Sequence, residues 1–354
     1  MKICFLTQNL NPKDGGGRFS GDLVSNLKNA GFEIAVLTHL DLLKNPLVNF
    51  FKIRKIFKNS DIIHAVDIWP DGFYAKLISS GLKKPVVITA LGTFSVAPFY
   101  SRRRPAAVWT CGNSRIIAIS EYTKSEIGKI LPDLKIDVIC PGFDLDFWSG
   151  SSNGAVAENI GRMKPYILSV GALKPRKGFH NSIAAFGIVA KKIKNLNYII
   201  VGQAYDNSAY FENLKRIAET NNVKDRVIFK NSGIDDKELL EFYKNAELFV
   251  LTPVEINHHF EGFGIVYLEA AAAGLPVVAS EKSGAVSAVE ENYNGILALR
   301  NDPESAAEAI LKILENPEIR ERFGRHGREW VKNFSWEKIT KKYAEIYNAD
   351  IKRH

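Results

Sequence analysis

The chain is poor in sulfur and has no long apolar run. Its three cysteines, Cys4, Cys111 and Cys140, lie far apart, which excludes a dense disulfide framework and any cysteine-based metal spacing. Cys4 and Cys140 fall in apolar, strand-like stretches where buried free thiols are usual, which fits a reducing cytoplasm. Nowhere do ~18 apolar residues follow one another, so a membrane-spanning helix is not expected. The opening MKICFLTQNLNP has too short an apolar run for a signal peptide and reads as a first strand. No G-x-x-x-x-G-K-[ST] occurs, which excludes a Walker loop. GGGRFS carries Ser20 where a dinucleotide fingerprint wants Gly or Ala, and it follows its strand by about eight residues instead of immediately.

What remains is the balance of a soluble protein with real cores, 46% hydrophobic and 24% charged over 354 residues, long enough for two ordinary domains. The net charge of +8 is uneven: residues 1–150 hold 19 Lys and Arg against 13 Asp and Glu. A basic first half suits an anionic partner (phosphate, nucleic acid or a lipid surface) or is simply a soluble basic surface.

Short β-branched runs punctuate the first half: KICFLT, FEIAVLT, DIIHAV, PVVITA, RIIAIS and IDVICPG. Helix-like stretches such as Phe19–Asn29 and Glu121–Leu131 separate them. This alternation implies right-handed βαβ crossovers and a parallel sheet covered on both faces. Residues 149–164, SGSSNGAVAENIGRMK, lack periodicity and read as a linker. The pattern then restarts with PYILSVGAL, LNYIIVGQA, DRVIFKNS, AELFVLTP and LPVVAS. The expected architecture is therefore α/β, two doubly wound Rossmann-like domains in series, residues 1–148 and 165–333, with a cleft between them. A last helical segment, residues 334–354, has Ser335 as its expected N-cap, with Trp336 and Tyr343 for packing.

EGFGIVYLEAAAAGLPVVAS, from Glu261 to Ser280, is apolar yet keeps carboxylates at Glu261 and Glu269. Gly262 and Gly264 allow a tight turn, so a helix is expected to begin near them and to stop at Gly274 before Pro276. Its first amides lack intrahelical partners and form an anion site suited to a diphosphate. Glu269, one to two turns in, is placed to accept hydrogen bonds from ribose or sugar hydroxyls. A glycosidase acid–base pair fits poorly: those carboxyls stand roughly 5–9.5 Å apart, whereas eight largely helical residues separate the backbones by ~12 Å. The plainer alternative is two glutamates favoured by the helix macrodipole. SVGALKPRKGF places Lys174, Arg176 and Lys177 in a loop at the same sheet edge. There they either neutralise a departing diphosphate or form a solvated basic loop.

Together these stretches resemble the family 4 retaining glycosyltransferases, which have two facing Rossmann-like domains in the GT-B arrangement. Glu261 and Glu269 match the Glu-x7-Glu signature of that family, and AAAAGLPVVAS and NGIL its continuation. RKG at Arg176–Gly178 resembles its diphosphate loop, and AISEYTK and CPGFDLDFW resemble two weaker signposts. The resemblance spans nearly the whole chain. It implies that Glu261 contacts the donor sugar and Glu269 the ribose. Arg176 and Lys177 would bind the diphosphate, and the amides of Gly262, Phe263, Gly264 and Ile265 would support sugar or phosphates. Gly15, Gly16 and Gly17 would approach the phosphates from the first domain, and the final helix would cross back onto that domain. No metal or separate cofactor is implied; the donor is a UDP- or GDP-sugar, and the acceptor a sugar or lipid-linked glycan. Retention is ascribed to same-face attack, the leaving phosphate oxygen taking the proton of the acceptor.

The chain also departs from the pattern. Leu91 stands where members often carry His, and Ala172 where many carry Arg, so Arg176 is expected to substitute. TPVEINHHFEGFG is longer than usual. Glu255, His258, His259 and Glu261 there form either a metal site, without any fixed ligand spacing, or an acceptor-facing loop. Leu47–Lys58 is a basic amphipathic segment, with Leu47, Phe50, Phe51, Ile53 and Phe57 against Lys52, Lys55 and Lys58. It suits either an anionic membrane surface at the inner membrane face or a crossover helix with its apolar side on the sheet. Arg102–Arg104 adds charge to the same domain. Basic residues interleaved with aromatics for nucleic acid are not seen. The rival functions are a nucleotide-sugar epimerase or hydrolase on this scaffold, and a membrane-associated binding protein without catalysis.

Overall fold

The computed structural model describes the chain except residues 13, 39–40, 42–45, 151–153, 205–207, 232 and 354. It divides into two units, Met1–Gly142 with Phe334–His354, and Phe143–Asn333.

The first unit holds a parallel sheet of β1 (Lys2–Thr7), β2 (Glu33–Thr38), β3 (Ile62–Val66), β4 (Val86–Ala90), β5 (Arg115–Ala118) and β6 (Ile136–Val138), in the order β2-β1-β3-β4-β5-β6. The near-continuous apolar runs arise because helices cover both faces: β3 and β4 are buried along their whole length, as parallel strands must be. β1 pairs with β2 from Lys2 opposite Glu33 to Thr7 opposite Thr38, and with β3 from Ile3 opposite Ile62. The chain winds outward one way from β1 to β2 and the other way from β3 onward. The switch point of this sheet therefore lies between β1 and β3.

The helix after β1 spans Gly15–Asn29, four residues earlier than the apolar periodicity suggests. Asp14 accounts for the early start, because its carboxylate accepts the Gly17 amide at 3.1 Å and caps the helix. The Pro46–Lys58 helix crosses from β2 to β3 with Ile53 and Phe57 buried, while Phe51 stays 70% exposed. Its apolar side thus lies on the unit, as a crossover helix requires, and Lys52, Lys55 and Lys58 point outward. Asn45 and the side chain of Leu47 lie outside the described residues.

The C-terminal helix, Trp336–Ile351, belongs to this first unit. Ser335 occupies the N-cap position but its hydroxyl makes no capping bond; the helix is held instead by a buried polar network. Nδ1 of His64, on β3, lies 2.6 Å from the Tyr347 hydroxyl, and Nε2 lies 2.8 Å from Thr89 Oγ1, which in turn meets the Tyr343 hydroxyl at 3.2 Å. Burial pulls the imidazole pKa down to about 3, so the ring is neutral at physiological pH.

The second unit repeats the plan with β7 (Tyr166–Val170), β8 (Asn197–Val201), β9 (Val227–Lys230), β10 (Leu248–Val250), β11 (Val277–Ser280) and β12 (Gly295–Ala298), ordered β12-β11-β10-β7-β8-β9. The sixth strand, β12, comes from the NGIL stretch and pairs with β11. Here the switch point lies between β7 and β10. Residues 149–164, expected as a linker, contain the Gly154–Gly161 helix, which packs on the Asp236–Asn245 helix and buries Ile160; residues 151–153 lie outside the described residues. All three cysteines are free, Cys4 and Cys111 buried and Cys140 half-buried.

Candidate active site

In open α/β sheets, ligands sit beyond the carboxyl ends of the strands that flank the switch point. In the second unit those strands are β7 and β10, and the loops that leave them carry Lys174–Lys177 and Glu261. The two loops meet. The Glu261 carboxylate oxygen Oε2 accepts from Lys177 Nζ at 2.7 Å and Arg176 Nη1 at 3.0 Å. Arg176 also donates to the Phe260 carbonyl at 3.2 Å. Burial pushes the Glu261 carboxyl up, but the Lys177 ammonium, the Arg176 guanidinium and their hydrogen bonds outweigh it, and its pKa ends below the usual carboxylate range. Two cations share one carboxylate in a largely desolvated place, and Glu269 is the next negative charge that Lys177 feels. Burial and the neighbouring guanidinium lower the Lys177 pKa against the pull of Glu261. An anion placed against the two cations would favour the charged form of Lys177, which burial disfavours.

Two glycines make the approach of these loops possible. Gly178, at φ +73°, caps the Phe179–Lys192 helix, and a Cβ there would lie 1.7 Å from the Thr252 carbonyl oxygen. Gly264, at φ +85°, turns the chain into the Val266–Ala273 helix beside the Tyr267 ring. That conformation is reserved for glycine, and it explains why the helix starts at Val266 and not near Gly262, with Glu269 already in its first turn. The amides of Gly264 and Ile265 donate to no partner among the described residues. Gly262 and Phe263 are buried beside Glu261. Glu269 is buried in a different way, with the Tyr243 hydroxyl donating to Oε2 at 2.8 Å. Tyr243 was not foreseen, since nothing in the spacing of the Asp236–Asn245 helix points to the helix start of another element.

The four-residue cluster considered for a metal does not converge. Arg300 Nη1 donates to Glu255 Oε2 at 3.0 Å, while His258 Nδ1 lies 3.9 Å from Glu255 Oε1 and Glu261 faces Arg176 and Lys177. Ile256 and His259 exchange backbone hydrogen bonds of 3.0 and 2.9 Å across Asn257 and His258, both at positive φ, which makes the insertion a tight hairpin turn. No group of three His, Cys, Asp or Glu suited to a metal occurs among the described residues.

In the first unit, Gly15–Gly17 form the first turn of their helix, and Leu91 lies next to them; its amide donates to Asp67 Oδ1 at 3.0 Å. Ala172 follows Gly171 after β7, and Lys174 remains exposed at the rim of its loop. Arg102, Arg103 and Arg104 are exposed, with the Arg103 guanidinium 5.2 Å from the Trp69 ring centroid.

Residues 155–330 match the model of the glycosyl transferases group 1, and residues 35–147 that of Glycosyltransferase Family 4. The chain belongs to the family 4 glycosyltransferases. An uncharacterized glycosyltransferase of Methanocaldococcus jannaschii is 28% identical to it over 306 residues, 85% of this chain and 80% of the relative. The GDP-mannose-dependent alpha-(1-6)-phosphatidylinositol monomannoside mannosyltransferase of Mycobacterium tuberculosis is 28% identical over 247 residues, 68% of this chain and 63% of that protein. Among solved structures, Anabaena HepE in complex with UDP aligns with a TM-score of 0.81 at 20% identity, over 99% of this chain and all of HepE. The glycosyltransferase thus has the two-domain GT-B fold, with its C-terminal helix on the first domain. No helix among its described residues is long and apolar enough to cross a membrane.

Proposed function

We propose that this glycosyltransferase transfers a hexose from a UDP- or GDP-sugar to a sugar or lipid-linked acceptor with retention of anomeric configuration, and without a metal. One observation carries the reading: Lys177 and Arg176 converge on a single buried carboxylate, Glu261, at the switch point of the second sheet, 2.7 and 3.0 Å from Oε2. A diphosphate docking there pairs with the two cations, and its leaving-group charge grows as the glycosidic bond breaks. The two cations therefore act most strongly in the transition state. Glu261 orients hydroxyls of the hexose, the open amides of Gly264 and Ile265 donate to sugar or phosphate oxygens, and Glu269 takes the ribose. The bond from the anomeric carbon to the phosphate oxygen breaks as the acceptor oxygen joins the same face, and the acceptor proton passes to the departing phosphate. No strong protein acid is needed, because the diphosphate leaves readily once its charge is met. The HepE structure with UDP and the GDP-mannose dependence of the mycobacterial relative support a nucleotide-sugar donor and leave the base to experiment.

The test is a thermal-shift panel of UDP, GDP, ADP and their sugars on wild type and Lys177→Ala. A nucleotide that binds only the folded protein stabilises it by RT ln(1 + [L]/Kd). At least one nucleoside diphosphate should raise Tm in wild type and fail to do so in the variant. Equal shifts in both proteins, or none with any nucleotide, would overturn the donor assignment. Anomeric proton couplings of the product by NMR decide retention.

A further inference from the structure

A second group of carboxylates, in the first unit, has no place in the donor chemistry. The switch point of the first sheet lies between β1 and β3, and the chain leaving those strands carries Asp14 and then Asp67 and Asp71. Asp67 directly follows β3 at φ 66° and ψ 149°, a conformation in which an L-residue is strained. The Leu91 amide at 3.0 Å and the Ser95 hydroxyl at 2.5 Å both donate to its Oδ1, which fixes the carboxylate; Oδ2 has no partner among the described residues. Asp71 is wholly buried, and neither of its carboxylate oxygens has a hydrogen-bond partner among the described residues. A buried carboxylate left bare is costly, and native folds keep one mainly where a ligand or a proton serves it.

The electrostatics agree. Burial raises Asp67 to about 6 against the bonds from Ser95 and Leu91, with the charge of Asp14 adding to the rise. Burial, and then the charge of Asp67, raises Asp71 to about 7. No Lys or Arg is among the groups that shift either one, although the unit as a whole is basic. Phosphate is disfavoured in such surroundings. The nearby helix start adds little for an anion, because Asp14 already takes the Gly17 amide.

We propose that Asp67 is a hydroxyl-binding residue for a neutral, polyhydroxylated acceptor. Its Oδ2 accepts from acceptor hydroxyls, and Asp71 is a positioning residue that, when ionised, makes that oxygen a stronger acceptor. The word acceptor rests on the glycosyltransferase reading; the binding chemistry does not. The experiment is saturation-transfer NMR on the full chain with myo-inositol, D-mannose and D-glucose as probes. Wild type should bind at least one of them. Asp67→Asn, which is of nearly the same size and keeps the bonds at Oδ1, should weaken that Kd by about tenfold or more, the usual worth of a charged hydrogen bond. Asp71→Asn should weaken it too, without lowering Tm and without changing nucleotide affinity, which a merely structural role would not produce. Lys177→Ala should keep the sugar signal while losing the nucleotide, so that failure of the donor assignment is distinguished from failure of this one. If Asp67→Asn does not fold, Ser95→Ala removes the hydroxyl that fixes the carboxylate and should weaken binding as well. Absence of signal from all three sugars in wild type, unchanged binding in the aspartate variants, or displacement of the sugar by inorganic phosphate would overturn the proposal.

Discussion

Acidification should loosen the first unit through one histidine, His64. Its pKa falls from 6.5 to about 3 because the ring is buried between β3, β4 and the C-terminal helix. In the unfolded chain the imidazole takes up a proton near pH 6.5; in the folded unit it does so only near pH 3. The associated stability is therefore complete above pH 6.5 and is lost as pH falls through that window, at about 1.4 kcal/mol per unit. From pH 6.5 to 4.5 the loss is about 2 kcal/mol, and over the whole window it approaches ~5 kcal/mol. Urea unfolding of wild type at pH 7 and 4.5 should show this loss. His64→Gln, which keeps a hydrogen-bonding side chain but does not titrate, should show a correspondingly smaller acid sensitivity. An NMR titration gives the direct check, since the His64 ring should remain neutral down to about pH 4. A ring that titrates near 6.5, or a variant with the acid sensitivity of wild type, would refute the reasoning and the neutral lock between helix and sheet with it.

Beside the Glu261 cluster, Gly178→Ala forces a Cβ to 1.7 Å from the Thr252 carbonyl and should cost roughly 2–4 kcal/mol. Urea unfolding reads the loss, and nucleotide affinity should fall with it as the Arg176–Lys177 loop moves. Tyr243→Phe removes the hydroxyl that donates to Glu269 at 2.8 Å and should destabilise by about 1–3 kcal/mol. If Glu269 holds ribose, the same variant should weaken UDP or GDP by calorimetry and leave inorganic pyrophosphate unaffected.

Much of the plan is local and therefore legible in order along the chain. Strands covered on both faces must be apolar throughout, so DIIHAV and PVVITA could be recognised without a partner strand in view. Gly264 before an apolar helix, and RKG after a strand, mark backbone turns and charge whatever surrounds them. Helix starts were harder to read. Asp14 sets the first helix start at Gly15 through its capping bond to the Gly17 amide, and Gly264 delays the other start to Val266. The Leu47–Lys58 pattern serves a membrane surface or a crossover equally well, and only the burial of Ile53 and Phe57 shows which side faces the unit.

Two doubly wound α/β units, the glycine turns, and a glutamate and two cations free to pair by charge are legible along the chain, because periodicity, turn chemistry and charge are properties of neighbours in the chain. Only the tertiary structure decided which of those groups meet. Strand order brings the loops after β7 and β10 together, so that Arg176 and Lys177 reach Glu261 from more than eighty residues away, and it likewise sets Tyr243 on Glu269 and His64 under Tyr347. It also leaves Asp71 bare beside Asp67. The reason is physical: an ion pair or a buried polar network is worth little until folding removes water from it, and which groups lose their water together is settled by topology and not by spacing along the chain.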